Sequence, residues 1–128
     1  MTILARLRKR RKKRLQLEEI LSRATDKILT DSLFLNKDLK CNDVAKAIGT
    51  NRTYLWKALG KHRLGFQEYL SKFRVRYFIE NARGYCHLQG AEIAERCGFN
   101  NPKFLSKYLK QLFGISLSDY MKLVCRGL

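Results

Sequence analysis

The sequence predicts an all-α chain of about seven helices, and three observations carry that prediction. Apolar residues recur at helical spacing in one segment after another, and no stretch alternates for long enough to make a strand. A seven-residue pattern also occurs twice, 49 residues apart, each time just ahead of a basic helical segment. The chain has 128 residues, one proline and eight glycines, with 45% apolar content. That is enough for a core, and too regular in composition for a fibrous or low-complexity class.

In chain order, Leu17, Ile20, Leu21, Ala24 and Ile28 make one stripe on a helix over 15–30. Short helices fit 43–48 and 52–60. A longer one covers 66–82, with Phe66, Tyr69, Leu70, Phe73 and Tyr77 as its stripe and Lys72, Arg74 and Arg76 at other positions. A further short helix fits 91–97. Two more follow from Leu105, Tyr108, Leu109 and Leu112, and from Leu117, Tyr120, Met121 and Val124. Asn51 and Asn101 suit helix starts, because a side-chain carbonyl there accepts from the free amides of the first turn. Pro102 follows Asn101, where its missing N–H costs nothing. Ser116 to Asp119 resembles a capping box, and Gly49, Gly98 and Gly114 suit left-handed helix ends.

The repeated pattern is Asp43-Val44-Ala45-Lys46-Ala47-Ile48-Gly49 and Glu92-Ile93-Ala94-Glu95-Arg96-Cys97-Gly98. Acid, β-branched residue, alanine, three residues, glycine, then a second helix is the shape of a helix-turn-helix. The alanine permits a close crossing and the glycine a positive φ in the turn. The second turn is expected to be one residue longer, because Leu105 stands one place further from its glycine than Leu55 does. In the first following helix Leu55, Ala58 and Leu59 face inward, which turns Arg52, Thr53, Trp56 and Lys57 outward. In the second, Leu105, Tyr108, Leu109 and Leu112 face inward, which turns Lys103, Ser106, Lys107 and Lys110 outward. The outward side of such a helix, near its start, enters the major groove and meets base edges. The alternative for Trp56 is a half-buried place in the core; for the lysines it is a solvated helix face.

Charge points to the same partner. There are 27 Lys and Arg against 11 Asp and Glu, a formal net charge of +16. Eight of the positive charges fall between Arg6 and Arg14 with no acid among them. Such a surplus favours a polyanion: duplex DNA, RNA or an anionic membrane face. Cys41, Cys86, Cys97 and Cys125 form no Cys-x-x-Cys pair. Cys41 and Cys97 read as small buried thiols in a reducing cytoplasm, and Cys86 as part of a plain loop, with no metal site. His62 and His87 have no partnered carboxylates, and no phosphate-cradling or nucleophile motif is present, so the chain is read as no enzyme.

The segment from Leu33 to Leu123 resembles the DNA-binding domain of the AraC/XylS family of bacterial transcription regulators. The residues that carry the resemblance are Asp43-Val44-Ala45, Gly49 to Leu55, Phe66-Gln67-Glu68-Tyr69-Leu70 and Ala91 to Phe99, then Lys107, Lys110, Phe113-Gly114-Ile115-Ser116 and Tyr120. The Gly-Thr-Asn-Arg-Thr-Tyr-Leu run looks like the Bacteroidetes branch, where such domains often end larger sensor proteins. The resemblance implies two helix-turn-helix subdomains, about 15–64 and 90–124, joined by a linker helix over 66–82. Together they make one DNA-binding domain over 15–124, with two reading helices about one turn of DNA apart.

It places Arg52, Thr53, Trp56 and Lys57 on the first reading helix and Pro102, Lys103, Ser106 and Lys107 on the second; Asn51, Asn101 and Lys110 complete the expected DNA-contacting set. Four departures stand out. Leu117 occupies a position that is usually proline, and the connection before Phe66 is one residue short. Gln89-Gly90 replaces a better helix start, and Trp56 replaces a small or polar residue.

The expected function is sequence-specific binding of double-stranded DNA in transcription regulation, in the cytoplasm, with no cofactor and no readable small-molecule site. RNA polymerase is a second candidate partner. The alternative is a non-specific binder of nucleic acid or anionic membrane through the basic run. Residues 1–14 are expected to be a disordered basic tail, either solubilising or gripping phosphates or a minor groove. If the chain is the output fragment of a membrane sensor, the run would instead lie just inside a membrane.

Overall fold

A computed structural model describes residues 2–126, the side chains of Arg14 and Leu15 apart. The described residues form seven α-helices and no strand: α1 (Ile3–Thr30), α2 (Cys41–Ala47), α3 (Arg52–Gly60), α4 (Phe66–Asn81), α5 (Gly90–Arg96), α6 (Pro102–Phe113) and α7 (Leu117–Cys125). Short 3-10 turns follow α1 at Leu33–Leu35 and α4 at Ala82–Tyr85. The chain divides into two compact units. The first is the chain through Leu33 with Leu39–Tyr69, and the second is Phe34–Asp38 with the chain from Leu70 onward.

In the first unit α1 packs on α2 and α3. Ala24 and Ile28 of α1, Val44 and Ala45 of α2, and Leu55 and Leu59 of α3 are almost fully buried. Helix α1 corrects the expectation of a disordered tail, because it starts at Ile3 rather than near residue 15. The reason is local. No glycine or proline lies between Ile3 and Thr30, and Leu, Arg, Lys, Gln and Glu all propagate a helix well. The Thr2 hydroxyl accepts from Ala5 N–H at 3.1 Å and caps the start.

Each repeat closes in the same way. Gly49 N–H donates to Lys46 C=O at 3.1 Å and Thr50 N–H to Ala45 C=O at 2.9 Å. In the second copy Gly98 N–H donates to Glu95 C=O at 3.1 Å and Phe99 N–H to Ala94 C=O at 2.9 Å. This pair of bonds is the Schellman ending, which satisfies carbonyls left open by the helix and needs a left-handed residue between them. Gly49 and Gly98 supply it, with φ of +77° and +90°. Asn51 begins α3 two residues after its glycine and Asn101 begins α6 three after, so the second turn is longer by one residue, as expected.

The second unit is built on α4 from Leu70 onward, with Phe78, Ile93, Cys97, Leu105, Leu109 and Leu117 among its buried residues. The single stripe expected on α4 is too narrow, since Ser71, Arg74, Val75 and Phe78 are buried as well. Arg74 is 4% exposed. Its Nε donates to Phe34 C=O at 2.6 Å and its Nη2 to Asn36 C=O at 2.9 Å, which fixes the Phe34–Asp38 segment in this unit. Burial lowers the guanidinium's proton affinity, and the two carbonyls hold the charge. The Phe34 ring meets Phe73 and Tyr77 at centroid distances of 6.3 and 5.6 Å.

Two cysteines also correct the sequence reading. Cys86, expected in a plain loop, is joined by a disulfide to Cys125 at the end of α7, with Cα atoms 5.7 Å apart. Their separation of 39 residues carries no motif; only the packing of α7 against the 3-10 turn brings them together. Cys41 and Cys97 are buried free thiols as expected, and burial pushes Cys97 up to about 11.

Two measurements check these points. The two turn glycines are not equivalent: a Cβ on Gly49 meets nothing within 4 Å, whereas one on Gly98 would overlap the Phe34 carbonyl oxygen and lie 2.9 Å from Arg74 Nε. Gly49→Ala should therefore cost about 1–2 kcal/mol, the left-handed strain alone, and Gly98→Ala about 3 kcal/mol or more in urea unfolding. Reducing the disulfide should lower the stability of the second unit by up to about 4 kcal/mol, and Cys86→Ser should remove that sensitivity to reductant.

Candidate nucleic-acid interface

The face of α3 is set by its buried side. Leu55, Ala58 and Leu59 are at most 2% exposed, so Arg52, Thr53, Trp56 and Lys57 are turned to solvent. Asn51 holds the start, with its Oδ1 accepting from Tyr54 N–H at 3.1 Å. Trp56 is 55% exposed, which removes the core alternative. Its ring is nevertheless held, with the Arg52 guanidinium 5.0 Å from the ring centroid. Burial raises the Cys41 pKa, against the opposing charge of Arg52. Arg52 and Trp56 thus form one stacked cation–aromatic pair on an ordered helix.

On α6 the arrangement is similar. Asn101 Oδ1 accepts from Lys103 N–H at 2.9 Å and from Phe104 N–H at 3.4 Å, and Pro102 occupies the first helical position. Both asparagine oxygens accept capping bonds, and their amide N–H groups remain for an outside acceptor. Leu105 and Leu109 are fully buried and Tyr108 half-buried. Pro102, Lys103, Ser106, Lys107 and Lys110 line one shallow depression together, so five of the expected contact residues form a continuous surface.

Two expectations on α6 need correction. Leu112, expected inward, is 60% exposed, because the last turn of α6 extends past the side chains that cover Leu105 and Leu109. Ser106, expected outward, is half-buried, and its Oγ accepts from Leu117 N–H at 3.0 Å. That bond accounts for the leucine at position 117. A proline would have no N–H to offer, whereas Leu117 gives its N–H to Ser106 and its side chain to the core at 4% exposure. Ser116 still caps α7 through Asp119 N–H at 3.2 Å.

Sequence reasoning overlooked three residues. Tyr54 is 49% exposed with Lys57 Nζ 5.7 Å from its ring, and Phe104 is 48% exposed on α6. Both immediately precede an inward leucine, a position that a helical projection turns away from the core. Arg23 donates to Ile48 C=O at 2.5 Å and ties α1 to the end of α2, which sequence spacing does not reveal.

Comparison with known proteins agrees with this geometry. No family model matches the chain. Over 88 residues it is 35% identical to the Msm operon regulatory protein of Streptococcus mutans; the match covers 66% of this chain and 30% of that protein. It is also similar to the C-terminal domain of AraT, a response regulator from Geobacillus stearothermophilus, with a TM-score of 0.53 and 23% identity over 88% of this chain and 83% of that one. The chain has the fold of that domain. Each unit carries one helix-turn-helix, α2–α3 in the first and α5–α6 in the second. Among the described residues no helix is long and apolar enough to cross a membrane, and no group of three or more His, Cys, Asp or Glu is placed to hold a metal.

Ser106→Ala should destabilise the second unit by about 1 kcal/mol, the worth of the bond to Leu117. Ser106→Thr, which keeps the hydroxyl, should restore most of it in the same urea titration.

Proposed function

We propose that this domain binds duplex DNA at specific sequences and regulates transcription, with α3 and α6 entering adjacent major-groove segments. The observation that carries this reading is that each second helix starts at an asparagine cap and turns a cationic face to solvent: Arg52, Trp56 and Lys57 on α3, and Lys103, Lys107 and Lys110 on α6. Lysine and arginine displace counterions along the phosphates, while Arg52, Thr53 and Lys107 are the candidates for donors to guanine or contacts to either base edge. The Arg52–Trp56 pair presents a rigid plate whose apolar ring fits sugars or a thymine methyl. Ser106 supports α7 and still has a hydroxyl proton to give outward. The likeness to the Msm operon regulatory protein, of whose length the chain spans about a third, supports a role in gene regulation.

Selection of bound duplexes from a random pool, followed by footprinting, tests the reading. Two short blocks of base preference are expected. Arg52→Ala should relax preference in one block and Lys107→Ala in the other, each costing about 1–3 kcal/mol. With some six phosphates contacted, log K should fall against log[salt] with a slope of about −5. Equal affinity for selected and scrambled duplexes at physiological salt would overturn the proposal.

A further inference from the structure

The charge run at the start of the chain is not spread evenly over a coil; it sits on the first three turns of α1. Along α1 the residues Leu17, Leu21, Ala24 and Ile28 mark the side that packs on the rest of the first unit, with Ala24 and Ile28 fully buried. Counting back at helical spacing, the same stripe continues as Lys13, Arg10 and Arg6. One helix face is therefore apolar where it packs and cationic where it runs beyond the packing. No carboxylate stands between Ile3 and Leu17 to neutralise it.

This cationic stretch adjoins the reading helix of its own unit. Arg10, Arg11 and Lys13 line one groove with Lys61, just past the end of α3. Lys13 also borders a neighbouring groove with Arg23, Thr50, Tyr54 and Lys57, in which Glu19 is the one carboxylate against three cations. Cations from α1 and α3 thus share continuous concave surfaces within a single unit.

We infer that the N-terminal turns of α1 are an additional nucleic-acid contact, a sequence-blind arm that grips the phosphate backbone beside the groove entered by α3. The inference rests on the proposed function. A concave row of cations next to a reading helix matches the regular charge of a duplex backbone. A helical arm also gives up less conformational freedom on binding than a coil of the same charge would. The exposed Ile3, Leu4 and Leu7 give the start of α1 a small apolar end, but residues 8–13 are all cationic, with Arg8 and Lys12 on the side away from the packing stripe, so an anionic membrane suits this segment less well.

The test compares two variants of the full chain with identical net charge. Arg10→Gln/Lys13→Gln empties the groove side; Arg8→Gln/Lys12→Gln empties the opposite side. All four residues are exposed and glutamine keeps their helix propensity, so circular dichroism should show both variants folded. On the selected duplex the groove-side variant should reduce the salt slope by roughly 2, shorten the footprint at the edge of one block and leave the preference for selected over scrambled sequence unchanged. The opposite-side variant should change the slope by less than 1. Equal effects of the two variants, or no effect of the groove-side variant, would overturn the arm while leaving sequence recognition standing. Loss of sequence preference in the unmodified chain would instead overturn the proposed function. Tighter binding of the unmodified chain to phosphatidylserine vesicles than to duplex, abolished by the groove-side changes, would assign the arm to a membrane and overturn the inference.

Discussion

The left-handed glycine after α2 and after α5 is the constraint on which both units depend. A helix that ends leaves carbonyls without partners, and in each copy two backbone amides fold back onto them across a residue with positive φ. That closure turns the chain sharply enough for α3 to pack on α2 and α6 on α5. The fully buried Ala45 and Ala94 let each pair approach closely. Once the crossing is set, burial of Leu55 and Leu59, or of Leu105 and Leu109, determines which residues of the second helix face solvent. The orientation of the cationic surfaces is therefore a consequence of where the glycine stands and how the core fills.

The two copies are not interchangeable. Gly49 stands in open space, whereas Gly98 is enclosed by the Phe34 carbonyl, Leu35 and the Arg74 side chain. The second unit has recruited Phe34–Asp38, a segment remote in sequence, and holds it with a buried guanidinium that donates to two main-chain carbonyls. A disulfide between Cys86 and Cys125 adds a covalent tie within the same unit. In the first unit the corresponding support comes from α1, with Arg23 closing the end of α2. The same turn is thus buttressed by different chemistry in each half of the chain.

Some residues expected to contact a ligand also hold the scaffold. Asn51 and Asn101 spend their oxygens on capping, and Ser106 accepts the Leu117 amide. Trp56 keeps its face exposed while the Arg52 guanidinium lies over its ring. A surface built in this way meets a partner with side chains already oriented, which lowers the entropic cost of binding.

The sequence by itself determined the existence of the six helices after α1, the caps at Asn51, Asn101 and Ser116, the glycine turns and their unequal lengths, and the outward set Arg52, Thr53, Trp56, Lys57, Lys103, Lys107 and Lys110. These follow from interactions within one or two turns of chain, where periodicity and backbone stereochemistry act directly. The helical state of residues 3–14 was open to the same reasoning, since nothing there breaks a helix, but the density of charge suggested disorder instead. Only the tertiary structure decided the place of Phe34–Asp38, the burial of Arg74 and Ser71, the Cys86–Cys125 bond, the pairing of Ser106 with Leu117 and the exposure of Leu112. Each depends on which distant segment arrives at a given surface, and a local pattern along a chain does not encode that arrival.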